Sequence, residues 1–520
     1  MALAKYFSKD LLAINRLVNT DHSVLLDRLN SAVISLAFDE NCVKTFEGRC
    51  GVDIILRLIS RLYPKLKLID LSGANKERLE EYQSIAKRIN SNIELVDSKT
   101  AEDVLVILGD SKKEITTEGL KIHFGSDNWI AKYSLESVQE FGDSNNPIGV
   151  GISACIVASN IFRHIFKDML NNYDLDNSFE LSTYSLDTNT KIENNPIIED
   201  IELNNLVIAG IGAIGNGVIW TLSKIKNLKG NIHLVDDERI SISNLQRYVL
   251  LEETNEDDIK VDVAKNYFTQ KNLSVTPFKC NWDCYLNKLD DWNVNCVAVG
   301  IDNAKDRIGI QSTLPKIIFN AFTETESLAI TRHKDFVNES CLSCSYIPLK
   351  KEKDFINEVA DNCNIPQKAE LVKAYYNLNL PVGIPIPNSN HDSLLLTIAK
   401  SNNIPIEELN QFNEMTLNQF YSDFVCGGII LNVSKTDKDI KNVDAPLAFQ
   451  SAMAGILLSA ELIKHTLCPD IIQEQRTDFY HLSPIYNGVN PYHRLIVKDE
   501  TGRCICRDED FINRYKEKWN

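Results

Sequence analysis

Residues 207–248 read "VIAGIGAIGNGVIWTLSKIKNLKGNIHLVDDERISISNLQRY". An apolar strand comes first, then G-x-G-x-x-G at Gly210, Gly212 and Gly215, then a helix, then a second strand ending at Asp236. Glycines between a strand and a helix let the backbone approach phosphates and seat them at the helix N-terminus. Asp236 stands about 20 residues on, where an acid holds a ribose hydroxyl. Up to this point the stretch suits NAD as well as ATP, and an NAD-dependent oxidoreductase is one reading.

The residues that follow favour ATP. "SISNLQRY" sets Asn244 and Arg247 three apart, just beyond the ribose acid. Arginine is a rigid fork of donors suited to phosphate oxygens, and hydride transfer has no need of such a clamp. "DDIKVDVAK" adds Lys260 at the start of a helix. "VAVGIDNAKDR" places Asp302 at the C-terminal end of a buried strand, where ligands of open α/β sheets bind and an acid can hold Mg²⁺. Each of these residues alone reads as a solvated surface charge; the ordered set does not.

The whole chain has 520 residues, which suggests about three domains. Its composition, 44% apolar and 24% charged, is that of a globular protein. A net charge of −17 without a long basic run argues against nucleic acid as a partner. No apolar run reaches the ~18–20 residues a membrane span needs, and the N-terminus has no signal-peptide core, so no membrane partner and a cytoplasmic location are expected. Thirteen cysteines in such a chain fit core thiols, metal ligands or a nucleophile better than a disulfide framework. Cys155, Cys280, Cys296 and Cys468 lie in apolar surroundings and read as core.

Upstream, residues 1–30 and "HSVLLDRLNSAVISLA" have helical spacing, and "CVKTF", "KLKLIDL", "NIELVD" and "DVLVILGD" read as short buried strands. The order repeats downstream. "KLKLID" with Asp70 matches "NIHLVD" with Asp236, and "DVLVILGD" with Asp110 matches "NCVAVGID" with Asp302. "NPIGVGISACIVASNIFRHIF" matches "APLAFQSAMAGILLSAELIKHT". The first copy has "EGRCG" (47–51) in place of the glycine loop and nothing like "SNLQRY". The second carries an insertion from about 340 to 440, rich in Asn, Pro and charge.

"GIGAIGNG", "VDDERISISNLQRY", "KVDVAK" and "GIDNAKDR" make residues 204–305 resemble the ThiF family of adenylating enzymes, which includes ubiquitin-activating enzymes and bacterial sulfur-carrier activators. The resemblance implies binding of ATP and Mg²⁺ and transfer of AMP to the C-terminal glycine of a ubiquitin-like protein. Asp236 would hold the ribose, Asn244, Arg247 and Lys260 the phosphates, and Asp302 the Mg²⁺. Family members work as dimers or as fused active and inactive halves. The implied fold is therefore α/β, with two Rossmann-like ThiF-type units forming a pseudo-dimer in one chain; whether two chains pair further stays open. The expected layout is an inactive half over 1–200, an active ATP-binding domain over 201–340 and 441–520, and an insertion over 341–440. Arg16 is a candidate for the arginine that one half lends the other.

"ESCLSCSYIP" supplies Cys341 and Cys344, and "TGRCICRD" supplies Cys504 and Cys506. Four thiolates can close a tetrahedral Zn²⁺ site. The second pair is tighter than usual, but the resembled family has a four-cysteine zinc site at these two places. Family members that pass their substrate on use a loop cysteine, whose thiolate attacks the acyl-adenylate. Cys426 in "DFVCGGIILN" has that place, and Cys363 in "VADNCNIPQK" is the alternative. The resulting expectation is an activating enzyme that forms a thioester and hands it to a conjugating enzyme, with an antiphage system as one setting. The alternatives are adenylation alone, serving sulfur transfer or peptide modification, and a nucleotide-binding scaffold without turnover.

Overall fold

The computed structural model describes residues 14, 17–18 and 20–519, apart from 98, 110–114, 171–173, 189–192, 290, 325–326, 347–351, 379, 387–391, 403, 422–445, 472, 481–490 and 500–501. The chain divides into two compact units. One is built from Leu26–Ile347 and Pro446–Asn520, the other from Pro348–Ala445 and Ser8–Leu25.

The first unit holds two sheets, each of eight strands among the described residues. The first comprises β1 (Val33–Phe38), β2 (Lys65–Asp70), β3 (Glu94–Leu95), β4 (Val104–Leu108), β5 (Leu120–Asp127), β6 (Ile130–Ser134), β7 (Phe179–Ser182) and β8 (Asp187–Thr188). The second comprises β9 (Ile201–Ala209), β10 (Leu228–Val235), β11 (Leu273–Phe278), β12 (Cys296–Val299), β13 (Ile317–Thr323), β14 (Leu328–His333), β15 (Arg476–Phe479) and β16 (Tyr492–Arg494). Their orders are β3-β2-β1-β4-β5-β6-β7-β8 and β11-β10-β9-β12-β13-β14-β15-β16. In each, the first five strands of that order are parallel and the rest antiparallel. The expected two-unit α/β fold is thus present, and the strand order is one fold written twice. It reverses direction between β1 and β4, and again between β9 and β12. Crevices at such switch points are where open sheets bind ligands.

Three local expectations fail. "HSVLLDRLNSAVISLA" is not one helix: His22–Ser31 is helical and Val33–Phe38 is the central strand β1. Its six residues are all buried, Ser35 among them, and a short run buried on both faces carries no periodicity that separates strand from helix. "CVKTF" is not a strand. Glu40–Lys44 is a short helix, started by Asp39 accepting from Cys42 N at 2.9 Å. Finally, the helix Ile148–Ile165 is long and apolar enough to cross a membrane, but 94% of it is buried inside the protein.

The halves meet through helices: α1 (Phe46–Leu62) and α2 (Ile148–Ile165) from the first, α3 (Ala213–Lys224) and α6 (Ala448–Leu467) from the second. Smaller helices α4 (Lys260–Lys265) and α5 (Ala304–Ser312) flank the second sheet, and α7 (Glu509–Trp519) closes the tail. Close packing demands small residues. A Cβ on Gly151 would come within 2.9 Å of both Ile456 Cδ1 and Trp220 Cζ3, and one on Gly455 within 2.2 Å of Ile214 O. Trp220 Nε1 donates to Asp53 Oδ2 at 2.8 Å across the halves.

A buried charge cluster pins the base of α6. Arg332 forks onto Glu461 at 2.5 and 2.8 Å, and Lys464 Nζ lies 2.5 Å from the same carboxylate. Lys464 also donates to Tyr184 O in the first half at 3.2 Å. Burial alone would raise the Glu461 pKa, but Arg332 and Lys464 hold it down at about 2. A carboxylate depressed in the folded state stabilises fully above its unfolded value near 4.5 and loses that contribution as pH falls through about 2. Glu461→Gln should therefore cost about 3–5 kcal/mol at pH 7, by stranding two buried cations, and flatten the acid limb of stability between pH 4.5 and 2. Urea midpoints measured across pH check both.

Candidate active site

The glycine loop sits at the switch point of the second sheet. After β9, Gly210 adopts φ +89°, and an added Cβ would lie 2.9 Å from Ile301 Cγ1 and 3.1 Å from Gly300 C. That backbone and that contact both exclude other residues. At Gly215 a Cβ would fall 2.3 Å from Gly210 O, so the turn closes only on glycine. Gly212 caps α3 without a side-chain hydrogen bond, and its Cβ would meet nothing nearer than Tyr248 Oη at 3.5 Å. The first N–H groups of α3 are therefore without a side-chain cap, the arrangement that receives phosphate.

Asp236, just past β10, ties into that loop. Its Oδ2 accepts from Ile211 N at 2.8 Å and its Oδ1 from Glu238 N at 2.9 Å. Burial raises its pKa, against the pull of Lys260. Lys260, only 3% exposed at the start of α4, donates to Tyr248 Oη at 3.2 Å and pairs with Glu238. Burial works against its charge, yet Tyr248, Asp236 and Glu238 together hold its pKa above the ordinary value. The Glu238 side chain is 65% exposed, so this partner can swing into solvent and release the ammonium.

Asn244 and Arg247 lie on the turn after β10. Asn244 Oδ1 accepts from Ser241 N at 2.9 Å and shapes the turn. The Arg247 guanidinium lies 5.7 Å from the Tyr248 ring and 3.5 Å from Gln246 Oε1. No carboxylate pairs with Arg247 among the described residues. Asp302 is exposed between β12 and α5, beside Asn303, which caps α5 by accepting from Asp306 N at 2.8 Å. Gly210, Asp236 and Asp302 thus follow the adjacent strands β9, β10 and β12, at the C-terminal ends of the parallel strands. Tyr248 and Glu238 are two participants that the sequence reading missed. Both stand in its opening stretch, but an aromatic and an extra acid there read as core and surface.

The first half closes the same place with its own side chains. At the start of α1, Asp143 accepts from Phe46 N at 2.7 Å and Thr45 Oγ1 from Gly48 N at 3.1 Å. Glu47, fully buried, accepts from Asn128 N at 3.1 Å and from Ser144 N and Oγ at 3.1 and 2.7 Å. Asp70 spends its carboxylate on Ser72 N at 3.1 Å and Asn75 N at 2.6 Å. The Asp143 carboxylate and the Thr45 hydroxyl thus cap the start of α1, where α3 in the second half has no side-chain cap.

The two cysteine pairs, about 160 residues apart, converge. Cys341 lies 3.3 Å from Cys504 and 4.0 Å from Cys344, Cys344 lies 3.6 and 3.4 Å from Cys504 and Cys506, and Cys504 lies 3.5 Å from Cys506, sulfur to sulfur. Sulfurs at the corners of a tetrahedron about 2.3 Å from a central ion stand about 3.8 Å apart, so the cluster fits one four-coordinate metal. Hydrogen bonding from Cys341, Cys504 and Cys506 holds the Cys344 thiol below its ordinary value. α7 anchors the tail beside it, with Trp519 Nε1 donating to Leu314 O at 2.9 Å and Tyr515 Oη to Lys316 O at 2.8 Å.

Cys426 and Arg16 lie outside the described residues. Cys363 is fully buried in the apolar core of the second unit, among Val359, Ile365 and Ile398.

A ThiF family model matches residues 184–491, more than half of the chain. The chain belongs to the ThiF family. Adenylation is the chemistry this membership carries. A second model, Prokaryotic E2 family C, matches residues 37–167. In this ThiF-family chain that stretch folds as strands β2–β6 with the last two residues of β1, together with α1 and α2. Its cysteines, Cys42, Cys50 and Cys155, are all buried, and burial pushes the Cys50 thiol up to about 12. The chain is 33% identical over 520 residues to the uncharacterized protein y4jF of Sinorhizobium fredii, covering 100% of this chain and 98% of that one. Among solved structures it is similar to E. coli MccB with MccA-N7isoASN, at 16% identity and TM-score 0.33 over 58% of this chain and 67% of that chain. It is similar also to E. coli MccB with ATP, at 15% identity and TM-score 0.33 over 59% of this chain and 67% of that chain.

Proposed function

We propose that this protein uses Mg-ATP to adenylate the C-terminal carboxylate of a ubiquitin-like protein and then carries the acyl group as a thioester. The observation that carries the nucleotide site is the contrast between the halves. Gly212 leaves the N-terminus of α3 without a side-chain cap, with an Arg247 that has no carboxylate partner among the described residues on the neighbouring turn, whereas Asp143 and Thr45 cap the equivalent end of α1. Residues 201–340 with 441–520 form the active domain, 1–200 its inactive counterpart, and 341–440 the insertion.

In the reaction, a carrier carboxylate oxygen attacks the α-phosphorus. A C–O–P anhydride forms, the bond between α- and β-phosphates breaks, and pyrophosphate leaves. Asp236 orients the ribose. Asn244, Arg247 and Lys260 hold the phosphates, with Lys260 exchanging Glu238 for phosphate oxygen. Asp302 would hold Mg²⁺, which neutralises charge on the leaving group. Positioning and charge neutralisation supply most of the catalysis. The Cys426 thiolate then attacks the acyl carbon, AMP leaves, and the thioester passes to the cysteine of a conjugating enzyme. Cys341, Cys344, Cys504 and Cys506 would hold a structural Zn²⁺.

ATP–pyrophosphate exchange that depends on the cognate carrier tests the adenylation step, and its absence with every candidate carrier removes this reading. A reductant-sensitive adduct with the carrier should vanish in Cys426→Ala and persist in Cys363→Ala. An adduct surviving Cys426→Ala moves the nucleophile elsewhere. Exchange with no adduct at all in the unmodified protein leaves adenylation alone as the activity.

A further inference from the structure

The turn that carries Asn244 and Arg247 is held from the other half of the molecule. Arg61, on α1 of the first half and 1% exposed, donates from Nη1 to Leu245 O at 2.8 Å and from Nη2 to Val249 O at 2.8 Å and Leu251 O at 2.6 Å. One turn earlier, Arg57 Nη1 donates at 3.2 Å to Leu250 O, which also accepts from Tyr267 Oη at 2.6 Å, while Arg57 Nε pairs with Asp53 at 2.9 Å. Asp53 in turn accepts from Trp220 Nε1 at 2.8 Å and lies 3.2 Å from Lys224 Nζ, both on α3. Residues 245–251 therefore present four carbonyl oxygens to two guanidinium groups from a different sheet and helix system.

A short irregular turn cannot satisfy these carbonyls itself. Its own N–H groups are engaged in tight local bonds, Arg247 N to Asn244 O at 3.1 Å and Tyr248 N to Asn244 O at 3.0 Å. Buried carbonyls without donors cost free energy, so the turn keeps this shape only with outside donors. Charge-assisted donors in a rigid fork supply the strongest such hold.

We propose that Arg61, supported by Arg57, is a positioning residue for the nucleotide clamp. It fixes the backbone of 245–251 so that Asn244 and Arg247 are presented to the phosphates. The clamp is then formed only when both halves are assembled, which gives the half without a nucleotide loop a definite task in the reaction. This rests on the adenylation reading above.

The test is Arg61→Lys, which keeps the charge and loses the fork, in the full chain. Hydrogen exchange of the amides of 244–251 without nucleotide should speed up at least about tenfold. The Kd for ATP should rise at least about tenfold, with exchange in β4 and α2 unchanged. Unchanged exchange in 244–251, or faster exchange with unaltered ATP affinity, overturns the proposal. Where Arg61→Lys fails to fold, Arg57→Lys combined with Tyr267→Phe removes both donors to Leu250 O and should show the same pair of effects at smaller size; neither effect in that folded double variant overturns it. Absence of ATP binding by the unmodified protein would sink the adenylation reading instead, with the exchange arm still deciding whether Arg61 holds the turn.

Discussion

Arg247→Ala should lower carrier-dependent ATP–pyrophosphate exchange by about 10³-fold while leaving the melting temperature within about 1 °C. The two halves of this expectation have separate grounds. Arg247 is partly exposed, and its contacts in the fold are Gln246 Oε1 at 3.5 Å and the Tyr248 ring at 5.7 Å, so its loss removes little that holds the chain together. A guanidinium serving phosphate oxygens, however, stabilises charge that builds in the transition state. Arg247→Lys should recover only part of the loss, because a point charge replaces a bidentate fork. Full exchange in Arg247→Ala would place the phosphate clamp elsewhere at the C-terminal ends of the strands.

Metal analysis of the purified protein should give about one zinc per chain, and its removal should lower the melting temperature by about 10 °C or more. The sulfurs of Cys341, Cys344, Cys504 and Cys506 stand 3.3–4.0 Å apart in the pairs given above, without a disulfide among them. Four thiols so crowded are stable chiefly as thiolates on a cation. The metal would join the segment after β14 to a tail otherwise held by α7 through Trp519, Tyr515 and Lys518. Cys506→Ser should lose the zinc, whereas Cys280→Ser should keep it. A metal-free protein with four freely titrating thiols would remove the site.

Much of the nucleotide site was legible because its parts are contiguous. Strand, glycines, helix, second strand and acid occupy residues 207–236, and each step has a local cause. Gly210 needs its left-handed backbone, Gly215 its missing Cβ, and Asp236 its reach back to Ile211 N. The cysteine pairs stood out by their short internal spacings, and the fold brings their four sulfurs together. Less of the first half could be read. β1 is buried on both faces without a period, and "CVKTF" became a helix through a cap from Asp39 that its β-branched residues do not signal.

By itself the sequence determined that one half carries a loop able to seat phosphates, and that the other lacks it. Only the tertiary structure decided what satisfies Glu47 there and what holds the clamp. Glu47 meets Asn128 and Ser144 from 81 and 97 residues away, and Arg61 meets Leu245 from 184. Such contacts have no local period or spacing to betray them. They arise because burying a carboxylate or a guanidinium is tolerable only where distant backbone groups supply its hydrogen bonds, and the fold alone brings those groups together.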